Sequence, residues 1–166
     1  MSVPSAQSED LLFDAARRGD VSTLHELLGR GLKVDTTNAK GFTPLVLASY
    51  DNHYDAVVML LNAGANPNAQ DVTGNTALMG VSFKGYPDIA RLLIERGADL
   101  NLQNGSGGTA LMFATMFGRN ALVRLLLEAG ADQTMQDARG LTALHLAGQQ
   151  GNAEAWALLG GAPPQA

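Results

Sequence analysis

The sequence predicts an all-α fold, a solenoid of stacked helix-turn-helix units with projecting turns. Three observations support this prediction. A Thr-x-Leu triplet returns every thirty-three residues through four copies with no insertion between them, each copy holds two short apolar segments, and an Asn or Asp stands three residues before a Gly at the start of each copy. One such unit is too small to bury an apolar face alone, so the copies must stack on one another.

The Thr-x-Leu triplets indicate where the first helix of each unit begins. Thr43 is placed to accept hydrogen bonds from free amides of the first turn, and Pro44 at the next position needs no donor. The later copies carry Ala in place of this Pro, which keeps helix propensity but gives up the preset φ. The triplets are Thr43-Pro44-Leu45, Thr76-Ala77-Leu78, Thr109-Ala110-Leu111 and Thr142-Ala143-Leu144.

Two further sets of residues mark turns and helix ends. An Asn or Asp followed by Gly suits a tight turn, because the short side chain bonds its own backbone and Gly accepts positive φ. The turn pairs are Asn38 and Gly41, Asp71 and Gly74, Asn104 and Gly107, and Asp137 and Gly140. Leu60 and Leu61, with Val57 before them, show the helical spacing of the second segment. Gly64, Gly97 and Gly130 then stand where a left-handed residue ends that helix.

This pattern resembles the ankyrin repeat, whose period is thirty-three residues and whose hallmark reads Thr-Pro-Leu-His-x-Ala. The residues from Thr142 to Ala147 match the hallmark best, and Thr43-Pro44-Leu45 matches its first half, with Val46 in place of His. The likeness covers roughly residues 9–160. It implies a rigid stack of paired helices whose usual task is to bind another protein.

The resemblance and the period together predict one domain with caps at both ends. Polar residues such as Asp14 and Arg17 interrupt the first unit, as a capping repeat requires on its solvent face. Trp156 occupies the position of Val57 and Val123, so we expect its ring to cover the open end of the core. The predicted segments are a disordered tail 1–8, a capping unit 9–37, repeats 38–70, 71–103 and 104–136, a C-terminal capping repeat 137–160 and a tail 161–166.

Composition excludes several classes of function. The net charge of −5 argues against a nucleic-acid or anionic-membrane surface. The chain has no Cys, which removes disulfides, thiolate zinc sites and a Cys nucleophile. No apolar run approaches the roughly eighteen residues that would span a bilayer. We expect a monomer in the cytoplasm, with export left open because a removed leader would leave the same sequence. Eight Arg against three Lys favour a GC-rich bacterial source.

No metal, cofactor or catalytic site is predicted. His145 falls at the His of the hallmark, where the resemblance implies a bond to backbone between units, and His53 has the same expected role. His25 is expected to face water. The glycines from Gly105 to Gly108 lack the Lys and the preceding strand of a phosphate loop, so they predict a flexible turn. Nothing assembles a nucleophile, a base and an orienting group.

The resemblance also implies a binding face, made of the turns and the ends of the first helices. Tyr50, Phe83 and Met116 share one column with Arg17 and Gln149, which we expect to form an exposed ladder where binding energy concentrates. The alternative is that Tyr50, Phe83 and Met116 lean inward and fill gaps between units. The predicted binding residues are Lys40, Phe42, Tyr50, Asp51, Thr73, Asn75, Phe83, Lys84, Met116, Phe117, Arg139, Leu141 and Gln149.

The sequence therefore predicts a non-catalytic module that binds a partner protein through the groove of the stack. Two roles within this class remain open, a general bacterial regulator and an immunity-type inhibitor of a bacterial toxin. The acidic charge would suit a basic toxin. A different class, an enzyme or a receptor for a small ligand, would require a pocket under the glycine-rich third turn.

Overall fold

A computed structural model of the chain describes residues 5–163. Within that range the regular structure consists of ten helices and no strand, which confirms the all-α prediction. In chain order the helices are α1 (Ala6–Arg18), α2 (Val21–Gly29), α3 (Pro44–Tyr50), α4 (Tyr54–Asn62), α5 (Ala77–Lys84), α6 (Pro87–Glu95), α7 (Ala110–Met116), α8 (Asn120–Glu128), α9 (Ala143–Gln149) and α10 (Ala153–Leu158).

The helices pair within units and then stack between units. The odd-numbered helices form one row, in which α1, α3, α5, α7 and α9 each contact the next member, and the even-numbered helices form a second row beside it. We call them the inner and the outer row. A continuous apolar core runs between the rows from Leu12 in α1 to Leu159 after α10. Each unit thus contributes one layer to a core that no unit could close alone.

The start of four inner helices is set by the predicted Thr caps, which the structure confirms. The Oγ1 atom of Thr43 accepts a hydrogen bond from the amide of Val46 at 3.2 Å. Thr76, Thr109 and Thr142 cap α5, α7 and α9 in the same way. Each cap satisfies one of the four free amides of a helix of only seven or eight residues. Fixed caps at a fixed spacing keep the helices in register.

The first helix begins earlier than the sequence predicted. Residues 5–8 were assigned to a disordered tail, but Ser5 is the N-cap of α1 and its side chain accepts from the amide of Ser8. This turn was missed because it contains no apolar residue beyond Ala6. The rest of the predicted tail at residues 1–4, and residues 164–166, lie outside the described residues.

Small side chains allow the inner helices to approach each other closely. One column with the thirty-three-residue spacing holds Ala15, Ala48, Val81, Ala114 and Ala147, and each is fully buried. In the outer row, Val57, Ala90 and Val123 are fully buried at equivalent positions. Trp156, at the next such position, is only partly buried, and its indole N–H donates to the carbonyl of Ala162 at 2.7 Å. The ring therefore packs against the chain that follows it.

The turns that project beyond the inner helices, which we call fingers, bond to one another directly. The amide of Val72 donates to the carbonyl of Lys40 at 3.1 Å, and the amide of Gly105 donates to that of Thr73 at 2.9 Å. The amide of Ala138 donates to the carbonyl of Ser106 at 2.9 Å in the same way. Four successive fingers are therefore joined by three backbone hydrogen bonds.

Side chains add further bonds between units at regular spacing. The side chains of Asp35, Asn68 and Asn101 each accept from a backbone amide thirty-one residues later, at 2.7–3.2 Å. The ring Nε2 of His53 lies 2.7 Å from the carbonyl of Arg17, which is the bond to backbone between units that the resemblance implied. These contacts fix the spacing of the units at the surface as the core does inside.

His145 does not make the bond between units that was expected of it. Its Nδ1 instead accepts from the amide of Thr142 at 3.1 Å, so the imidazole caps its own helix. His145 lies in the last helix pair, where no further unit follows within the described residues. His25 is exposed, as expected.

Each finger contains a Gly that serves the turn and, in three of the four fingers, the approach of the next finger. Gly107 has a φ of +75°, and a Cβ built on it would lie 2.8 Å from the backbone nitrogen of Ala138. Gly140 has a φ of +79°, but a Cβ there would meet nothing within 4 Å in the described part of the chain. Both glycines therefore adopt a positive φ, but only Gly107 also lies too close to the next finger for a side chain.

This difference predicts unequal effects of Gly107→Ala and Gly140→Ala. Both variants should lose about 1–2 kcal/mol of unfolding free energy because Ala disfavours positive φ. Gly107→Ala should lose a further ~1–3 kcal/mol, because its methyl group forces the next finger away. Urea denaturation followed by circular dichroism measures both losses. Equal losses would show that the contact between fingers adds nothing to stability.

Candidate functional site

The candidate site lies along the inner helices α3, α5 and α7, from the fingers that precede them to their C-terminal ends. We call this surface the groove face. Tyr50 and Phe117 are 42% and 44% exposed there, which is high for large apolar side chains in an otherwise well-packed domain. Phe83 and Met116 lie between them and are half-buried. Within the predicted ladder, Tyr50 is exposed, whereas Phe83 and Met116 are partly packed. Binding by this column remains a prediction.

The aromatic rings of the groove face form one cluster. Tyr50 and Phe83 stack with centroids 6.3 Å apart and planes within 5°, and Phe83 meets Phe117 edge to face at 4.5 Å. The cluster follows Phe117 instead of Met116, the residue at the thirty-three-residue spacing. Such contacts between rings are worth about 0.5–1.5 kcal/mol beyond burial. The rings therefore hold one another in place on the surface.

Lys84 brings a positive charge to the edge of this cluster. Its Nζ lies 4.9 Å from the centroid of the Tyr50 ring and 5.9 Å from that of Tyr86. A cation near an aromatic face is attracted to the electron density of the ring. The contact shows that the Tyr50 ring can accept a cation.

A cavity of about 480 Å³ opens beside the rings, between α3 and α5. Gly80 lines it at a position where neighbouring inner helices carry Leu47 and Phe113, and a Cβ built on Gly80 would lie 3.4 Å from Cδ2 of Tyr50. Gly inside a helix costs about 1 kcal/mol relative to Ala, so this notch reduces stability. The cavity is lined by Phe42, Val46, Leu47, Tyr50, Asp51, Asp71, Asn75, Thr76, Met79, Gly80, Phe83 and Phe113.

Sequence reasoning missed the part that Gly80, Asp71 and Phe113 play in this site. The signal was present, because Gly80 breaks a column that holds Leu47, Phe113 and Leu146 at the thirty-three-residue spacing. Asp71 was assigned only to its turn.

The predicted finger residues differ in their exposure to solvent. Lys40, Thr73 and Arg139 are exposed, whereas Phe42, Asn75 and Leu141 are half-buried. The amide group of Asn75 donates to Thr73 at 3.0 Å and accepts from Asn104 at 2.8 Å, so it stabilises the fingers themselves. Asp51 and Gln149, at the ends of inner helices, are both exposed.

Two equivalent carboxylates, Asp71 and Asp137, have different electrostatic surroundings. Each accepts backbone hydrogen bonds from its own finger. Asp137 also receives two hydrogen bonds from the guanidinium of Arg139, at 2.9 and 3.2 Å. Burial opposes ionisation of Asp137, but the hydrogen bonds from Leu141 and Arg139 and the Arg139 charge outweigh it and lower the pKa of the carboxyl. Asp71 has Thr73 in place of that arginine and no ion pair within residues 5–163.

A second cavity of about 610 Å³ lies beside the glycine-rich third finger, between α7 and α9. Its apolar wall includes Met112, Phe113 and Met116, and its ionisable lining residues are Asp137 and Arg139, which pair with each other. Over the described residues, no group of three His, Asp or Glu side chains is placed to hold a metal ion. None of the described helices is long and apolar enough to cross a membrane.

The chain is a stack of short helix pairs whose fingers are hydrogen-bonded to one another. This architecture is that of the solenoid repeat proteins, a class that commonly uses one side of the array for binding. The family model for ankyrin repeats, which spans three copies, matches residues 12–104 and again residues 83–164. The chain belongs to the ankyrin repeat family. Ankyrin repeats are a general module for protein–protein interaction, and the family is generally non-catalytic.

Relatives match part of the chain. The protein named ankyrin repeat, SAM and basic leucine zipper domain-containing protein 1 from Ornithorhynchus anatinus is 40% identical over 65 residues, which cover 39% of this chain and 14% of that protein. Its counterpart from Echinops telfairi is 36% identical over 64 residues, or 39% of this chain and 13% of the relative. The chain thus spans about one seventh of the length of these relatives.

The packing of the rings predicts that Phe83→Ala is more destabilising than Tyr50→Ala. Phe83 is half-buried between two rings, so its loss should cost about 1–2 kcal/mol of unfolding free energy. Tyr50 is more exposed and its loss should cost less than about 1 kcal/mol. Urea denaturation of the two variants checks the order. Loss of the folded state in Phe83→Ala would show that the ring belongs to the core and not to a binding face.

Proposed function

We propose that this chain is a non-catalytic module that binds a partner protein through its groove face, centred on Tyr50, Phe83 and Phe117. The observation that carries the proposal is the cluster of partly exposed rings next to an open cavity of about 480 Å³. Membership in the ankyrin repeat family supports the kind of ligand, since its repeats are a general module for protein–protein interaction.

The aromatic cluster has the properties of a binding hot spot. Tyr and other large rings supply much contact area for few rotatable bonds, and binding energy concentrates on such residues near the centre of an interface. Contacts between Tyr50, Phe83 and Phe117 already restrict the rings, which reduces the entropy that binding must remove. Met116 beside them can adapt its flexible side chain to an uneven partner.

The fingers supply the rim of the proposed interface. Lys40 and Thr73 lie at the tips of two successive fingers and are exposed, and Arg139 is exposed on the fourth finger although it pairs with Asp137. Charged groups at a rim steer encounter and select partners more than they add affinity. Phe42 and Leu141 extend the apolar surface from the groove face toward these tips.

A binding role also fits the arrangement of the ionisable side chains. His25, His53 and His145 lie in different units, and the last two hydrogen-bond to the protein itself. The lining of neither cavity contains a His, Lys or Cys side chain, the usual bases and nucleophiles of hydrolytic or transfer chemistry. The proposed function therefore assigns the repeated geometry of the stack to recognition and not to reaction.

Two tyrosines of similar exposure allow a matched test of the groove face. Tyr50 is 42% exposed at the end of inner helix α3, and Tyr54 is 45% exposed at the start of outer helix α4. Affinity purification with the tagged chain from its native cells, followed by mass spectrometry, identifies candidate partners. Titration calorimetry with a purified partner then compares the wild type with Tyr50→Ala and Tyr54→Ala.

We expect Tyr50→Ala to weaken partner binding by at least about tenfold, as truncation of a hot-spot residue does. Tyr54→Ala should leave the dissociation constant within about twofold of the wild type, because Tyr54 lies on the outer row. Both variants should keep the wild-type circular dichroism spectrum. Equal affinity of wild type and Tyr50→Ala, or a loss confined to Tyr54→Ala, would refute the assignment of the groove face.

A further inference from the structure

We infer that the cavity at Gly80 receives an arginine side chain of the partner protein, together with apolar atoms of the residues beside that arginine. This inference rests on the proposed function and specifies the chemistry of the partner. It combines three observations: the shape of the cavity, the two carboxylates in its lining and its aromatic wall.

The shape of the cavity fits an inserted side chain. The volume of about 480 Å³ falls within the range of about 300–1,000 Å³ that is typical of ligand pockets. The apolar wall includes Leu47, Met79 and Phe83, which suits the methylene stem of a long side chain. A single side chain does not fill this volume, so its neighbours in the partner must occupy the remainder.

The charge of the cavity favours a cation. Asp51 and Asp71 are among its lining residues, and the lining contains no basic residue. Lys84 stands at the rim, with its Nζ 4.9 Å from the centroid of the Tyr50 ring, and forms no ion pair with either carboxylate. Asp71 uses its Oδ1 atom to accept from Thr73 and Asn75, and its Oδ2 atom has no hydrogen bond from any described residue. Asp51 follows the C-terminus of α3, where the helix dipole adds further negative potential.

The neighbouring cavity between α7 and α9 differs in its charge, because it contains an arginine beside its carboxylate. There the equivalent carboxylate, Asp137, is neutralised by Arg139 of its own finger. In the cavity at Gly80 the equivalent of Arg139 is Thr73, which donates a hydrogen bond but brings no charge. The partner would therefore supply to Asp71 the type of group that the chain itself supplies to Asp137.

The aromatic wall favours arginine over lysine. Tyr50, Phe83 and Phe113 line the cavity, and a planar guanidinium stacks on such rings. Arginine is also more weakly hydrated than lysine and can donate two parallel hydrogen bonds to one carboxylate. The Oδ2 atom of Asp71 and the exposed carboxylate of Asp51 are both available acceptors.

A pair of peptides tests the inference directly. The probe is acetyl-Gly-Leu-Arg-Leu-Gly-amide, and its control replaces Arg with citrulline, which has nearly the same shape and no charge. Titration of the ¹⁵N-labelled chain is followed by changes in amide chemical shifts. The arginine peptide should shift the amides of Asp51, Asn75 and Gly80 in a saturable manner, with a dissociation constant at least about tenfold lower than that of the citrulline peptide.

Variants of the chain separate charge from shape. Asp71→Asn removes the charge but keeps the turn, because Asn38 and Asn104 make the same backbone hydrogen bonds in other fingers. Asp71→Asn should raise the dissociation constant for the arginine peptide about tenfold or more. The matched change Asp137→Asn should leave that dissociation constant unchanged. Gly80→Leu fills the cavity and should abolish the shifts, with the folded state verified by circular dichroism.

Several outcomes would overturn the inference. Equal affinity for the arginine and citrulline peptides would remove the role of charge, and unchanged affinity in folded Asp71→Asn would remove the role of Asp71. If acetyl-arginine-methylamide alone binds as tightly as the peptide, the cavity takes a free small cation instead. Should the peptide fail while Tyr50→Ala still abolishes partner binding, the inference is wrong and the proposed function stands. If Tyr50→Ala leaves partner binding intact, the proposed function fails independently of the peptide result.

Discussion

The close approach of successive inner helices is the constraint on which the rest of this structure depends. Ala15, Ala48, Ala114 and Ala147, with Val81 among them, leave no exposed surface, and their small size brings each helix against the next. The fingers must then lie equally close, which their backbone hydrogen bonds show. Because the main helix contacts are made within a unit or between neighbouring units, the chain gains stability by stacking several units. The groove face is the surface that this spacing leaves at the ends of the helices.

Much of the fold could be predicted because each repeated residue stabilises a helix end or a turn in its own part of the backbone. Thr43 and its equivalents cap helices, and Gly107 adopts a positive φ that other residues resist, so the pattern is readable without tertiary information. The first turn of α1 was missed because a cap at Ser5 followed by Ala6 and polar residues has no apolar period. The role predicted for His145 was wrong. No described unit follows its helix pair, and its imidazole accepts a hydrogen bond from Thr142 at the start of its own helix.

The candidate site was predicted less completely, for a physical reason. Columns at the thirty-three-residue spacing identify the side of the stack on which Tyr50 and Phe83 lie, but not how far each ring leans inward. That depends on packing, and Phe83 turned toward Phe117 instead of Met116. The cavity is lined at Gly80 by a residue without a side chain, and its charge depends on whether a finger carries Thr73 or an arginine like Arg139. Small departures from the repeat, more than the repeat itself, determine the shape and charge of this surface.

Trp156 gives the array an optical property that its repeats alone would not have. It is the only tryptophan of the chain, it lies in α10, the last helix of the described residues, and its indole N–H donates to the carbonyl of Ala162 just beyond that helix. Its fluorescence therefore reports the terminal unit, whereas circular dichroism averages over all ten described helices. In a linear array the end units can fray before the middle ones. The difference between the two signals during unfolding measures how strongly the last unit is coupled to the rest of the stack.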